Sequence, residues 1–316
     1  MKEMVIAVVL LVIGFVLLIK GADFFVDGSS SVAKRLRVPS MIIGLTIVAM
    51  GTSLPECAVS VTASISNNNS LAVSNAIGSN IFNLIVVCGM CSLFTPLVVQ
   101  VETLKKEFPF SVICALLLLV FGFMGMNLGR AEGLIMMAIF AAYLVMMVIS
   151  AKKARSAAEE NSEEESEILP VWKCILFILG GAVAIKFGGD FVVNGASTIA
   201  AGFGLSQTLI GLTIVAMGTS LPELVTSIVA AKKNEVDMAV GNVVGSNIFN
   251  ILLVLGIASA ISPIEFLMEN VIDIIILVIM SVIVWLFGWS KKKIERTEGV
   301  LMLLSYVAYM IYICVR

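Results

Sequence analysis

Apolar runs long enough to cross a bilayer follow one another along this chain with little between them. A spanning helix needs about 20 mostly apolar residues. The pattern predicts ten, over roughly 4–32, 39–65, 71–95, 108–126, 131–150, 170–200, 206–231, 236–261, 269–289 and 297–315. One polar stretch stands apart. Lys152, Lys153 and Arg155 are followed by glutamates at 159, 160, 163, 164, 165 and 167, which reads as a solvated linker. The expected fold is therefore an all-α polytopic membrane protein, with five helices over 1–150, an acidic linker over 151–169 and five helices over 170–316.

Polar residues interrupt two spans in the same way. Ile43–Glu56, IGLTIVAMGTSLPE, recurs letter for letter as Ile210–Glu223. The correspondence continues without a gap: Asp23 with Asp190, Gly78–Asn83 (GSNIFN) with Gly245–Asn250, and Pro96 with Pro263. Five spans per copy is an odd number, so the second copy must enter the membrane from the opposite side. Ten helices as two inverted five-helix repeats are expected, related by a pseudo-two-fold axis in the membrane plane.

Composition agrees: 59% of residues are hydrophobic and 13% charged, and the mean hydropathy is +1.08. No clustered basic face suggests nucleic acid, and the absence of His removes the commonest proton shuttle and metal ligand. Six Cys lie in apolar segments, and Cys88-x-x-Cys91 reads as soft packing on one helix face. The N-terminal apolar run reads as the first span, not a discarded signal, because its Gly21-x-Asp23-Phe24 recurs at 188–191. Fifteen Lys and Arg fall in loops on the side that the first span reaches, against Lys2, Arg130 and Arg316 opposite. Basic residues mark the cytoplasmic side, so an inner (plasma) membrane protein with a cytoplasmic linker and both termini outside is expected. The repeat changes sign accordingly: Lys34-Arg35-x-Arg37 becomes Ala201-Gly202-x-Gly204, and Ile65-Ser66 becomes Lys232-Lys233.

Read as one helix, Ala49–Ser60 places Ala49, Thr52, Ser53, Glu56 and Ser60 on one face; the second copy does the same with Ala216, Thr219, Ser220, Glu223 and Ser227. Ser79 and Asn83, and Ser246 and Asn250, add stripes at a spacing of four. Pro55 and Pro222 deprive the carbonyls of Gly51 and Gly218 of a helical partner. Carboxylates, hydroxyls and free carbonyls are hard oxygen ligands suited to Na⁺ and Ca²⁺. Intramembrane acids point to function, whereas Asp23 and Asp190 read as local pairs with Lys20 and Lys186.

Two copies of G-T-S-L-P-E followed by G-S-N-I-F-N closely resemble the repeats of the sodium/calcium exchangers, within the cation/calcium antiporter superfamily. The resemblance covers nearly the whole chain, and the size is similar to the compact prokaryotic members. It implies a site of twelve residues: Ala49 by its carbonyl, Thr52, Ser53, Glu56, Ser79 and Asn83, with Ala216 by its carbonyl, Thr219, Ser220, Glu223, Ser246 and Asn250. It implies Ca²⁺ held by Glu56, Glu223 and the carbonyls of Thr52 and Thr219, with Na⁺ sites around it. Asn250 stands where the potassium-dependent branch has aspartate, which argues against potassium co-transport. Thr52 and Thr219 stand where the proton-driven branch usually has Asn. The expected function is electrogenic antiport, Na⁺ inward and Ca²⁺ outward, with the alternative of a H⁺/Ca²⁺ antiporter on the same fold. The first and sixth spans, rich in glycine, are expected to slide past the others. No enzyme activity and no cofactor are expected. Ca²⁺, Na⁺ and the lipid bilayer are the expected partners of a monomer, without nucleic acid. A membrane-embedded protease would need paired acids without surrounding cation ligands, and a passive channel would not bind so tightly.

Overall fold

The computed structural model describes residues 2–66, 69–159, 168–205, 210, 214 and 216–315. The first expected span is α1 (Lys2–Leu36). The second is two helices, α2 (Ser40–Thr52) and α3 (Leu54–Ile65), meeting at 49°. Next come α4 (Ser70–Phe94), a short α5 (Val101–Lys105), α6 (Glu107–Phe123) and α7 (Arg130–Glu159). The rest of the chain forms α8 (Val171–Gly202), α9 (Ala216–Gly218), α10 (Leu221–Lys232), α11 (Val236–Ile261), α12 (Met268–Lys291) and α13 (Arg296–Val315). Among the described residues, eight helices are long and apolar enough to cross a membrane, or nine if α2 and α3 make one span. Most of the expected seventh span before Ala216, and residues 160–167 of the acidic stretch, lie outside the described residues.

The all-α expectation needs one correction. β1 (Leu97–Val98) pairs antiparallel with β4 (Lys293–Ile294), and β2 (Asn127–Leu128) with β3 (Ile264–Glu265). Two-residue strands carry no alternation for a sequence to display. Each pair ties a loop of the first half to a loop of the second. The Arg35 guanidinium donates to the Leu169 carbonyl (2.9 Å), and the Lys232 ammonium lies over the Phe94 ring. The Arg130 guanidinium donates to the Ile261 carbonyl (3.3 Å). Each of these contacts joins segment ends that the basic-residue count assigns to one side.

Burial separates an inner from an outer layer. In α4 and α11, 72% and 78% of the most apolar window is buried, against 22% and 28% in α1 and α8. The outer pair presents Val5, Val12, Val16, Leu176 and Leu179 outward, as lipid-facing helices do.

The glycines of α1 and α8 have a different partner from the one the sliding expectation supposed. A Cβ on Gly14 would lie 2.8 Å from Gly188 O, one on Gly21 2.9 Å from Ile185 N, and one on Gly181 2.7 Å from Gly21 O. Gly195 faces Ala7 O at 2.7 Å in the same sense. The order of contacts makes α1 and α8 antiparallel, and their small-residue stripes let the two backbones touch. Gly14, Gly21, Gly181 and Gly195 knit α1 to α8, whereas Gly189 faces Pro222 of α10 at 3.9 Å.

Candidate ion-binding site

Pro55 and Pro222 each lie at the second position of a helix, α3 and α10. A proline is tolerated there because the missing N–H has no acceptor to lose. The chain breaks just before each, at Ser53 (φ −85°, ψ 9°) and Ser220 (φ −94°, ψ 5°). The continuous helix expected over 49–60 is thus divided. Glu56 and Glu223 occupy the first turn of a helix, where its positive end favours an anion.

Two further departures from α geometry bring helices to this point. Asn83–Val87 and Asn250–Leu255 are π-helical turns, each beginning at a predicted site asparagine, and such turns favour functional positions. Gly44 lets α2 lie on α11: a Cβ there would be 2.6 Å from the Met238 carbonyl. That approach brings the Ser246 hydroxyl to the Ala49 carbonyl (3.5 Å).

The two breaks face each other and exchange hydrogen bonds. Ser53 Oγ donates to Glu223 Oε1 (2.7 Å), and Ser220 Oγ donates to Glu56 Oε1 (3.2 Å). Each serine serves the carboxylate of the other half. Thr52, Ser53, Glu56, Ser79, Asn83, Ser220, Glu223, Ser246 and Asn250 are all buried. Glu56 Oε2, Glu223 Oε2, Ser79 Oγ, Asn83 Oδ1 and Asn250 Oδ1 have no hydrogen-bond partner. Burying an uncompensated carboxylate costs several kcal/mol. Two such oxygens among neutral ones fit a cation, which supplies the missing charge. Among the described residues no three His, Cys, Asp or Glu side chains cluster as a metal site, so these ligands would be two acids plus neutral oxygens.

Other predicted residues sit differently. Thr219 is only half-buried and lines a cavity of about 320 Å³ with Pro55, Val59, Asp190, Asn194 and Pro222. Thr52 is sealed, its hydroxyl on Val48 O (3.1 Å) and Asn242 Oδ1 (3.0 Å). The Ala49 carbonyl accepts from the Ser53 N–H (3.0 Å) as well as from Ser246. Ala216 begins α9, and its side chain lies outside the described residues.

Two asparagine pairs belong to this site and were missed. Asn75 Nδ2 donates to Ser60 Oγ (3.0 Å) and Glu56 O (3.3 Å), and Asn242 Nδ2 to Ser227 Oγ (2.9 Å) and Glu223 O (3.5 Å). Asn80 Nδ2 donates to Asn247 O (3.1 Å), and Asn247 Nδ2 returns a bond to Asn80 O (3.2 Å). The signal was available: Asn75 stands four residues before Ser79, and Asn242 repeats it before Ser246. Asp23 does pair with Lys20 (3.7 Å), and Asp190 with Lys186 (2.5 Å), as expected. Lys233, just after α10, adds a contact 2.7 Å from Asp27 and 3.4 Å from Asp23.

A sequence profile of the sodium/calcium exchanger protein family matches residues 6–149 and 173–315. The chain belongs to that family. It is accordingly a multi-pass membrane protein of the cation/Ca²⁺ antiporter class, a transporter of the compact prokaryotic size. Its relatives match it end to end. One named CaxA, from Alkalimonas amylolytica, is 40% identical over 97% of this chain and 98% of its own. The sodium/calcium exchanger MaX1 of Methanosarcina acetivorans is 31% identical over 96% and 97%. A structure of the sodium-calcium exchanger NCX_Mj, soaked with Na⁺ and Sr²⁺, superposes with a TM-score of 0.84 at 32% identity, covering 97% of this chain and 98% of that one.

Proposed function

We propose that this exchanger carries Na⁺ inward and Ca²⁺ outward, electrogenically, by alternating access at one midplane site. The observation that carries the reading is the facing pair Glu56 and Glu223. Each has one buried oxygen without a partner, and each is held by a serine of the other half. Two carboxylates neutralise one Ca²⁺. Several Na⁺ would need the same carboxylates together with Thr52, Ser53, Ser79, Asn83, Thr219, Ser220, Ser246, Asn250 and the carbonyls of Ala49 and Ala216. Sharing Glu56 and Glu223 makes the two loads mutually exclusive, which is the physical basis of exchange. The name of MaX1 and the Na⁺ and Ca²⁺ soaks of NCX_Mj support these ions.

The chain is read as two inverted five-helix units, 1–150 and 170–316, joined by a cytoplasmic linker over 151–169, with both termini outside. Breaks at Ser53 and Ser220 and π turns at Asn83 and Asn250 recur at one sequence offset, which supports the repeat. All the ligands come from one chain, so a monomer suffices. The cavity that reaches Thr219 lies on the side to which α3 runs, the outer side by the basic-residue count. Thr52 is sealed towards the other side. The state is therefore outward-facing, and exchange requires the pair α1–α8 to move across the inner helices.

The test is Ca²⁺ uptake into proteoliposomes loaded with Na⁺ and diluted into Na⁺-free buffer, with Glu56→Gln as control. Uptake that needs the Na⁺ gradient and vanishes in the variant is expected. Uptake that follows a pH gradient instead would reassign the driving ion to H⁺.

A further inference from the structure

We propose that Asn80 is a positioning residue that turns the Asn250 carboxamide oxygen toward the ions, and that it selects an amide over a carboxylate at position 250. This rests on the reading of Asn250 as an ion-site residue. Hydrogen-bond polarity fixes the relay. The Asn247 backbone carbonyl can only accept, so the Asn80 atom 3.1 Å from it must be Nδ2. Asn80 Oδ1 therefore faces away from that carbonyl and can only accept. The Asn250 atom 3.1 Å from Asn80 Oδ1 must then be its Nδ2. Asn250 Oδ1 is left buried and without a partner. Flipping either amide would set two acceptors against each other at 0% exposure, where no solvent offsets the loss.

The consequence is a fixed dipole. A cation is drawn to a carboxamide oxygen and repelled by its NH₂ end, so an untethered Asn250 would present the wrong end part of the time. A carboxylate at 250 would place an oxygen against Asn80 Oδ1. It could stay there only by carrying a proton on that oxygen, or by forcing Asn80 to release the Asn247 carbonyl. The first half makes no matching bond: both polar atoms of Asn83, and Asn247 Oδ1, lack partners. Position 250 is thus held where position 83 is free.

The test titrates CaCl₂ and NaCl calorimetrically into the purified full chain and its variants Asn80→Leu, Asn250→Ala and the double substitution. Asn80→Leu should weaken binding about tenfold, the worth of one buried hydrogen bond. The double variant should bind no more weakly than Asn250→Ala alone, because Asn80 acts through Asn250. Additive losses would overturn the proposal. Asn247→Leu removes the return bond to Asn80 O but keeps the relay, so it should lower thermal stability without the loss of affinity. Equal affinity losses in Asn80→Leu and Asn247→Leu would make Asn80 a packing residue. Should Asn80→Leu not fold, the isosteric Asn250→Asp decides. It should not tighten Ca²⁺ binding, since Asn80 Oδ1 opposes the oxygen that replaces the amide nitrogen, and tightening of tenfold or more would overturn the selection. If Asn250→Ala changes neither affinity, the reading of Asn250 as a site residue falls, and the proposal with it.

Discussion

Replacing Lys233 with Gln should unlatch the sealed side of the transporter. Lys233 follows α10, in the inner layer, and its ammonium reaches α1 in the outer pair. It lies 2.7 Å from Asp27 Oδ1 and 3.4 Å from Asp23 Oδ1, and it donates to the Asp23 carbonyl at 3.1 Å. Beside it Glu235 accepts from Ser40 Oγ (2.7 Å) and from Ser30 Oγ of α1. Side-chain exposures of 31% for Lys233 and Asp23 and 46% for Asp27 place the pair between the surface and the interior. Surface pairs contribute roughly 0–1 kcal/mol, and breaking a buried one costs about 3–5. An intermediate loss of about 1–2 kcal/mol would shift the ratio of sealed to open states roughly 5- to 30-fold. The assay is labelling of a cysteine placed at Val225, a half-buried residue of α10 between Glu223 and Lys233, in a chain stripped of its six native cysteines. A membrane-impermeant thiol reagent applied from the latch side should label faster in Lys233→Gln. Lys186→Gln is the control, because Lys186 pairs with Asp190 within α8 and, among the described residues, makes no ion pair to another helix. Equal labelling in both variants and the parent would refute the latch.

Two other outcomes are expected. Glu56→Gln and Glu223→Gln should each abolish Ca²⁺ binding yet raise the melting temperature of the ion-free protein, since each removes a buried negative charge that nothing in the chain compensates; a lowered temperature would mean that the carboxylates are structural. Gly188→Leu should separate α1 from α8, because even a Cβ there would meet Leu18 N at 2.7 Å and Gly14 O at 2.9 Å. Overpacking of this kind costs about 1–3 kcal/mol, and thermal unfolding together with Ca²⁺ uptake should both report it.

The sequence by itself determined the membrane class, because apolar run length is a local property that the bilayer fixes. It also displayed the residue types of the candidate site. A carboxylate, hydroxyls and a proline within one span, duplicated at Glu56 and Glu223, are legible from residue type and spacing alone. Tertiary structure decided what touches what. Whether Ser53 serves Glu56 or Glu223 depends on how two distant breaks face each other, and no one-dimensional spacing carries that. The glycines of α1 announced close packing but not their partner, since a missing side chain leaves no mark of whose backbone fills the space. Asn75 and Asn242 lay in plain view on the helix stripe, but only the fold brought their amides to the Glu56 and Glu223 carbonyls. The relay from Asn247 through Asn80 to Asn250 is tertiary throughout, because hydrogen-bond polarity acts only once the donors and acceptors meet.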